Sequence, residues 1–142
     1  MQKNYLVKKQ QAGFTLIEVM VVVVILGILA AIIVPKIMSR PEQARIVKVK
    51  QDILAIQSAL DLYKLDNGFY PSTDQGLEAL ITKPTDSPIP RNWKSDGYLQ
   101  RLPQDPWGEA YQYINNNEKI KIFSYGPKGK EGDTEISNLN ME

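Results

Sequence analysis

Residues Phe14–Val34 read FTLIEVMVVVVILGILAAIIV, a run of 21 residues with a single charge, Glu18. As a helix rising about 1.5 Å per residue, the run reaches roughly 30 Å, the thickness of one hydrocarbon core. Its many valines and isoleucines would suit a strand, but the run is far too long for one, so length decides for a helix. It is apolar all round, as a lipid-exposed or bundle-buried helix is. Gly27 and Ala31 have the small-xxx-small spacing that lets helices approach closely, although ordinary apolar composition would also supply such a pair.

Three readings of this run compete. A cleaved secretory signal would have a shorter apolar region followed by an A-x-A-like site, whereas here Ile32-Ile33-Val34-Pro35 follows the alanines. A plain membrane anchor fits the length and leaves Glu18 unexplained. A pilin-type N-terminus accounts for both. A carboxylate deep in a bilayer costs roughly 2.5–3.5 kcal/mol on insertion scales, and less near the interface. Glu18 lies about one turn from the end, so it could simply reach water. Alternatively, a cut after Gly13 would give Phe14 a new α-amino group, and a neighbouring subunit could place that cation beside Glu18. Opposite charges about 4 Å apart attract by about 4 kcal/mol at an intermediate dielectric, before desolvation.

The bulk composition excludes more than it assigns. The 142 residues suffice for one small domain plus an appendage, and 43% hydrophobic with 23% charged residues is not a disordered composition. Lys3, Lys8 and Lys9 are the only charges in residues 1–13; without them 14 bases face 16 acids, about −2, which argues against a nucleic-acid partner. The chain has no cysteine, so it has no disulfide, thiolate nucleophile or cysteine-zinc site. It also has no histidine, the commonest general base and transition-metal ligand. No Ser/His/Asp, Cys/His or metal-ligand constellation exists, so no enzyme is expected.

Ala12-Gly13-Phe14-Thr15-Leu16-Ile17-Glu18 resembles the prepilin-type signal. The resemblance implies that prepilin peptidase cuts between Gly13 and Phe14 on the cytoplasmic side and methylates the new Phe14 amine. It also implies that Glu18 is the helix glutamate that recognises and neutralises a neighbouring N-terminus. Positive-inside counting runs the other way, because Lys36, Arg40, Arg45, Lys48 and Lys50 follow the run with only Glu42 opposing. The family places the N-terminus in the cytoplasm, and the motif is more specific than a charge count. Further stretches are similar to major (G-type) pseudopilins of type II secretion systems. These are residues 34–38 (VPKIM), 59–71 (ALDLYKLDNGFYP), 73–80 (TDQGLEAL), 98–108 (YLQRLPQDPWG) and 123–127 (FSYGP). The likeness runs from the leader to about residue 130. Type IV pilins share the N-terminus but commonly carry a C-terminal disulfide, which this chain cannot form.

The rest of the chain reads as a small α+β head. Pro35 should kink or loosen the first helix, and Pro41 repeats the threat. Ile46, Val49, Ile53, Ile56, Leu60 and Tyr63 recur at three and four, an amphipathic helix over 42–65 whose stripe packs on the chain's own globular part. It should stop at Asp66-Asn67-Gly68. Ser72 and Gln75 have capping-box spacing ahead of a short helix with Leu77, Ala79, Leu80 and Ile81. Residues 83–97, with Pro84, Pro88 and Pro90, read as a loop, and Asp105-Pro106-Trp107-Gly108 as a turn. Ala110–Ile114 and Lys119–Tyr125 read as two strands joined through Asn115-Asn116-Asn117. Trp93 and Trp107 are expected to anchor loops or core; binding platforms for a carbohydrate or partner are the alternative. The expected organisation is a leader over 1–13, a helix over 14–66 that spans the membrane over 14–34, and a periplasmic head over 67–142 ending in a loop over 126–142.

Resemblance to major pseudopilins also implies a calcium ion in that last loop, held by a G-A/P-D-G pattern, an aspartate cluster and main-chain carbonyls. Here Lys128 stands at the first acidic position, and the cluster is shortened to Asp133, Thr134 and Glu135. Three arrangements stay open: a rearranged calcium site from the Tyr125 carbonyl, Asp133 and Glu135; a Lys128 ammonium in the ion's place, bridging Asp133 or Glu135; and a solvated Lys128. The expected function is that of a filament subunit in the inner membrane and periplasm. The expected partners are copies of itself, minor pseudopilins, prepilin peptidase and an inner-membrane assembly platform. A type IV pilus subunit and a membrane-anchored periplasmic binding protein are the alternatives.

Overall fold

The computed structural model describes residues 1–2, 10–38 and 40–141, in two units, Met1–Pro41 and Glu42–Glu142. The leader's Lys3, Lys8 and Lys9 lie outside the described residues. Helix α1 spans Leu16–Met38, and the stretch Leu16–Val34 has no residue buried within the chain. The expected loosening at the prolines is not seen at Pro35, where α1 continues to Met38. Pro41 falls in the first turn of helix α2 (Arg40–Asn67), where the missing N–H is one the helix would leave unpaired anyway. Between the helices only Ser39 intervenes, and it lies outside the described residues.

The amphipathic stripe becomes the core of the second unit. Val49, Ile53, Ile56, Leu60 and Tyr63 are each fully buried, Ala59 joins them, and Ile46 is half-buried. Each large side chain so buried contributes about 1.5–3 kcal/mol relative to exposure. α2 ends as expected at Gly68, whose φ of 85° is the left-handed cap and whose N–H donates to the Lys64 carbonyl at 2.7 Å.

Ser72 and Gln75 bond reciprocally, Ser72 N–H to Gln75 Oε1 at 3.0 Å and Gln75 N–H to Ser72 Oγ at 3.1 Å. This box closes a turn; it does not cap the expected helix. Gly76, at φ 60°, intervenes, and the following Leu77–Leu80 is a single 3-10 turn that buries Leu77, Ala79 and Leu80. Gln75 Nε2 also donates to the Asp86 and Pro88 carbonyls at 2.8 and 2.9 Å, which fixes the proline-rich loop.

The sheet is antiparallel with order β1-β2-β3, formed by Gln112–Asn116, Lys119–Ser124 and Ile136–Ser137. The hairpin turn is Asn117-Glu118, with φ of 51° and 67°, so Asn115 and Asn116 belong to β1 and not to the loop. A two-residue turn of this hand matches strand twist. Asn115 Oδ1 supports it by accepting the Glu118 N–H at 2.9 Å. The third strand is an addition to the two expected.

Polar contacts fasten these layers. The Tyr113 hydroxyl donates to the Pro71 carbonyl at 2.7 Å, and that of Tyr111 to Asp52 Oδ2 at 2.7 Å on α2. Asp105, 4% exposed, accepts the Trp107 and Glu109 amides on Oδ1 (3.1 and 2.8 Å) and the Ser124 hydroxyl on Oδ2 (2.6 Å). The Tyr70 hydroxyl donates to Asp61 at 2.7 Å, and burial followed by this bond pushes its phenol up to about 12. Trp93 Nε1 donates to the Ala79 carbonyl at 2.8 Å, and Trp93 and Trp107 both pack on the core, as loop anchors do.

The Tyr63 hydroxyl is buried with no hydrogen-bond partner among the described residues, unlike that of Tyr113. Tyr63→Phe should therefore leave stability unchanged or raise it by about 1 kcal/mol, whereas Tyr113→Phe should lower it by about 1–2 kcal/mol. Denaturant unfolding of the two variants measures this; the reverse order would contradict the packing.

Candidate functional site

Residues 10–15 precede α1 without regular structure, and Gly13 and Phe14 are exposed. Among the described residues nothing lies within 4 Å of a Cβ built at Gly13, so none of them hinders the Gly13–Phe14 bond. α1 begins two residues later.

That beginning is a capping box. Thr15 N–H donates to Glu18 Oε2 at 2.9 Å, and Glu18 N–H donates to Thr15 Oγ1 at 3.3 Å. Two of the amides that a helix start leaves unpaired are satisfied reciprocally. Glu18 thus has a partner in its own chain three residues away, and its charge lies at the positive end of the α1 dipole. The T-x-x-E spacing signals this in the sequence; assigning Glu18 a partner only on another chain passes over it. From Val19 to Val34 the surface of α1 is apolar. Its concavities are shallow grooves between its own side chains, such as the one lined by Leu16, Ile17, Met20, Val21, Val24 and Ile25. Gly27 has open space around its missing Cβ.

The C-terminal loop places its expected residues differently. Glu135 Oε1 pairs with Nζ of Lys121 on β2 at 2.6 Å, and not with Lys128. Lys128 is exposed and in no ion pair among the described residues: of the two acids expected to face it, Glu135 is held by Lys121, and Asp133 makes no ion pair with it. The Tyr125 carbonyl accepts the Thr134 hydroxyl at 3.0 Å, and Thr134 Oγ1 accepts the Lys128 N–H at 3.3 Å. Asp133 is exposed. Among the described residues no three Asp, Glu, His or Cys side chains cluster as a metal centre would require.

An uncovered apolar helix behind an accessible Gly-Phe bond, with a separate α+β unit built on an amphipathic helix, defines the class of pilin-like subunits. The prokaryotic N-terminal methylation motif matches residues 8–34, and the pattern of type II secretion system (T2SS), protein G, matches residues 36–139. The chain belongs to the type II secretion system protein G family. It is 59% identical over 137 residues to the type II secretion system core protein G of Pseudomonas aeruginosa, covering 92% of this chain and 96% of that one. The Vibrio cholerae protein of the same description is 53% identical over 140 residues, covering 94% and 95%. The crystal structure of the major pseudopilin from the type 2 secretion system of enterohaemorrhagic Escherichia coli superposes with a TM-score of 0.65 at 49% identity, covering 71% of this chain and 91% of that one.

Replacing Thr15 by Ala removes the acceptor of the Glu18 amide. A lost cap of about 1 kcal/mol corresponds to roughly fivefold faster amide exchange in the first turn. Hydrogen exchange at Glu18 in the detergent-solubilised precursor should show it, and unchanged exchange would mean that the box does not hold the helix start.

Proposed function

We propose that this chain is a structural subunit of the pseudopilus of a type II secretion system and carries out no reaction of its own. The single observation that carries this reading is the bare apolar surface of α1 directly behind the exposed Gly13–Phe14 bond. The names of the relatives support the secretion assignment, and the match over residues 36–139 favours it over a type IV pilus subunit. The two tryptophans, packed on the core, give little support to a membrane-anchored binding protein.

In this account the precursor lies in the inner membrane with its N-terminus cytoplasmic and its head periplasmic. Prepilin peptidase removes residues 1–13 and methylates Phe14. Subunits then leave the bilayer sideways at an assembly platform and join a helical filament with further copies and with minor pseudopilins. Lipid and a helix bundle are both apolar, so α1 need not meet water on the way. Gly27 costs α1 about 0.5–1 kcal/mol relative to alanine, and nothing among the described residues uses the space it leaves. Close approach by another helix backbone does use it. The Phe14 ammonium of a neighbour beside Glu18 would set the register as each subunit joins, and growth of the filament would drive exoproteins outward.

Intact mass of the membrane protein, made with and without prepilin peptidase, tests the first step. Loss of residues 1–13 with one added methyl, only when the peptidase is present, is the expected result. An unprocessed mass in both samples would end the filament reading.

A further inference from the structure

Calcium takes six to eight oxygen ligands, most of them carboxylate or carbonyl. The donor set in the loop after β2 does not fit it. The Tyr125 carbonyl, the one main-chain donor in the expected set, already accepts the Thr134 hydroxyl at 3.0 Å. Glu135 is paired with Lys121 at 2.6 Å, and Lys121 is itself held over the Phe123 ring, 4.7 Å from its centroid. Lys128 puts a cation where an acid would be needed. Asp133 alone remains, exposed to solvent.

The space between the two arms of the loop is also filled by the chain. Gly126 is buried at φ 77°, and a Cβ there would run into the Thr134 carbonyl. A Cβ at Gly132 would likewise strike Lys128 Cβ. Both glycines are therefore needed for the arms to lie directly against each other. The Gly126 N–H donates to Ser124 Oγ at 3.0 Å, and Ser124 Oγ–H donates to buried Asp105 at 2.6 Å, so the base of the loop is tied to the turn over 105–108.

We propose that the Thr134 hydroxyl does in this chain what a calcium ion would do: it joins the two arms, donating to the Tyr125 carbonyl and accepting the Lys128 N–H. The Lys121–Glu135 pair neutralises the one acid of the set that lies beside a strand. The loop then folds, and the sheet keeps β3, without metal. This inference concerns the unit Glu42–Glu142 alone and does not depend on the filament reading.

The test is thermal unfolding of the full chain in detergent micelles, followed by the fluorescence of Trp93 and Trp107, in EDTA and in millimolar calcium chloride. The midpoint should be the same in both. Thr134→Val, which keeps the shape and loses the hydroxyl, should lower it by about 4 °C or more in both. Thr134→Ser, which keeps the hydroxyl, should melt close to the unaltered chain. A midpoint of the unaltered chain that falls in EDTA or rises with calcium would overturn the proposal, as would a Thr134→Val midpoint that does not move. Should Thr134→Val fail to fold, an equally damaged Thr134→Ser would overturn the clasp, because its hydroxyl is intact.

Discussion

A helix satisfies its own backbone but not its own surface. Along Leu16–Val34 every residue is exposed within the chain, and nearly every one is aliphatic. At about 1.5–3 kcal/mol for each large side chain taken out of water, the unmet burial amounts to tens of kcal/mol. That exceeds the roughly 5–15 kcal/mol by which a whole domain is stable. α1 must therefore be covered by lipid or by other helices wherever the protein goes. The hydrophobic effect does not choose between those two, because lipid tails and leucines are alike apolar. The choice falls to packing at Gly27 and Ala31 and to Glu18, the one acidic or basic residue in the stretch Leu16–Val34. The Thr15–Glu18 capping box gives that carboxylate a local partner before any neighbour arrives.

The second unit meets the opposite requirement. It buries its α2 stripe against the sheet and the 3-10 turn, and it closes its irregular segments with side-chain bonds to main-chain groups. Asp105 shows the device: one buried carboxylate holds the 105–109 turn through two amides and the end of β2 through Ser124. Ser124 passes the constraint to Gly126, and Thr134 closes the loop beyond. A hydrogen-bonded line thus runs from that turn to the C-terminal loop.

What the sequence disclosed follows from how local each signal is. The apolar run, the α2 stripe and the cap at Gly68 are periodic or single-residue signals, and each appears where its pattern places it. Ile46 keeps the period yet is only half-buried, because period says which face a residue takes and not how far the core extends. Asn115-Asn116-Asn117 reads as the whole hairpin loop; pairing of β1 with β2 instead takes Asn115 and Asn116 into the strand, places the turn at Asn117-Glu118 and puts a glutamate at positive φ. β3 is two residues long, too short for any period, and it is placed by Asn138 Oδ1, which accepts the Ile122 N–H at 2.9 Å. At the candidate site, Gly13, Phe14 and Glu18 were legible as a contiguous motif. The partner of Glu135 was not, because Lys121 lies far back along the chain on β2, outside any local spacing pattern.

The central claim is that other copies of α1 cover this one in the filament. The chain has no cysteine, so Val23→Cys gives a single labelling site in the middle of the bare surface. A spin label there reports how freely lipid-soluble oxygen collides with it, in processed subunits in the membrane and in purified filaments. The account predicts high accessibility in the membrane and a marked fall in the filament; equal accessibility in both would mean that α1 remains facing lipid or detergent and is not the filament's core.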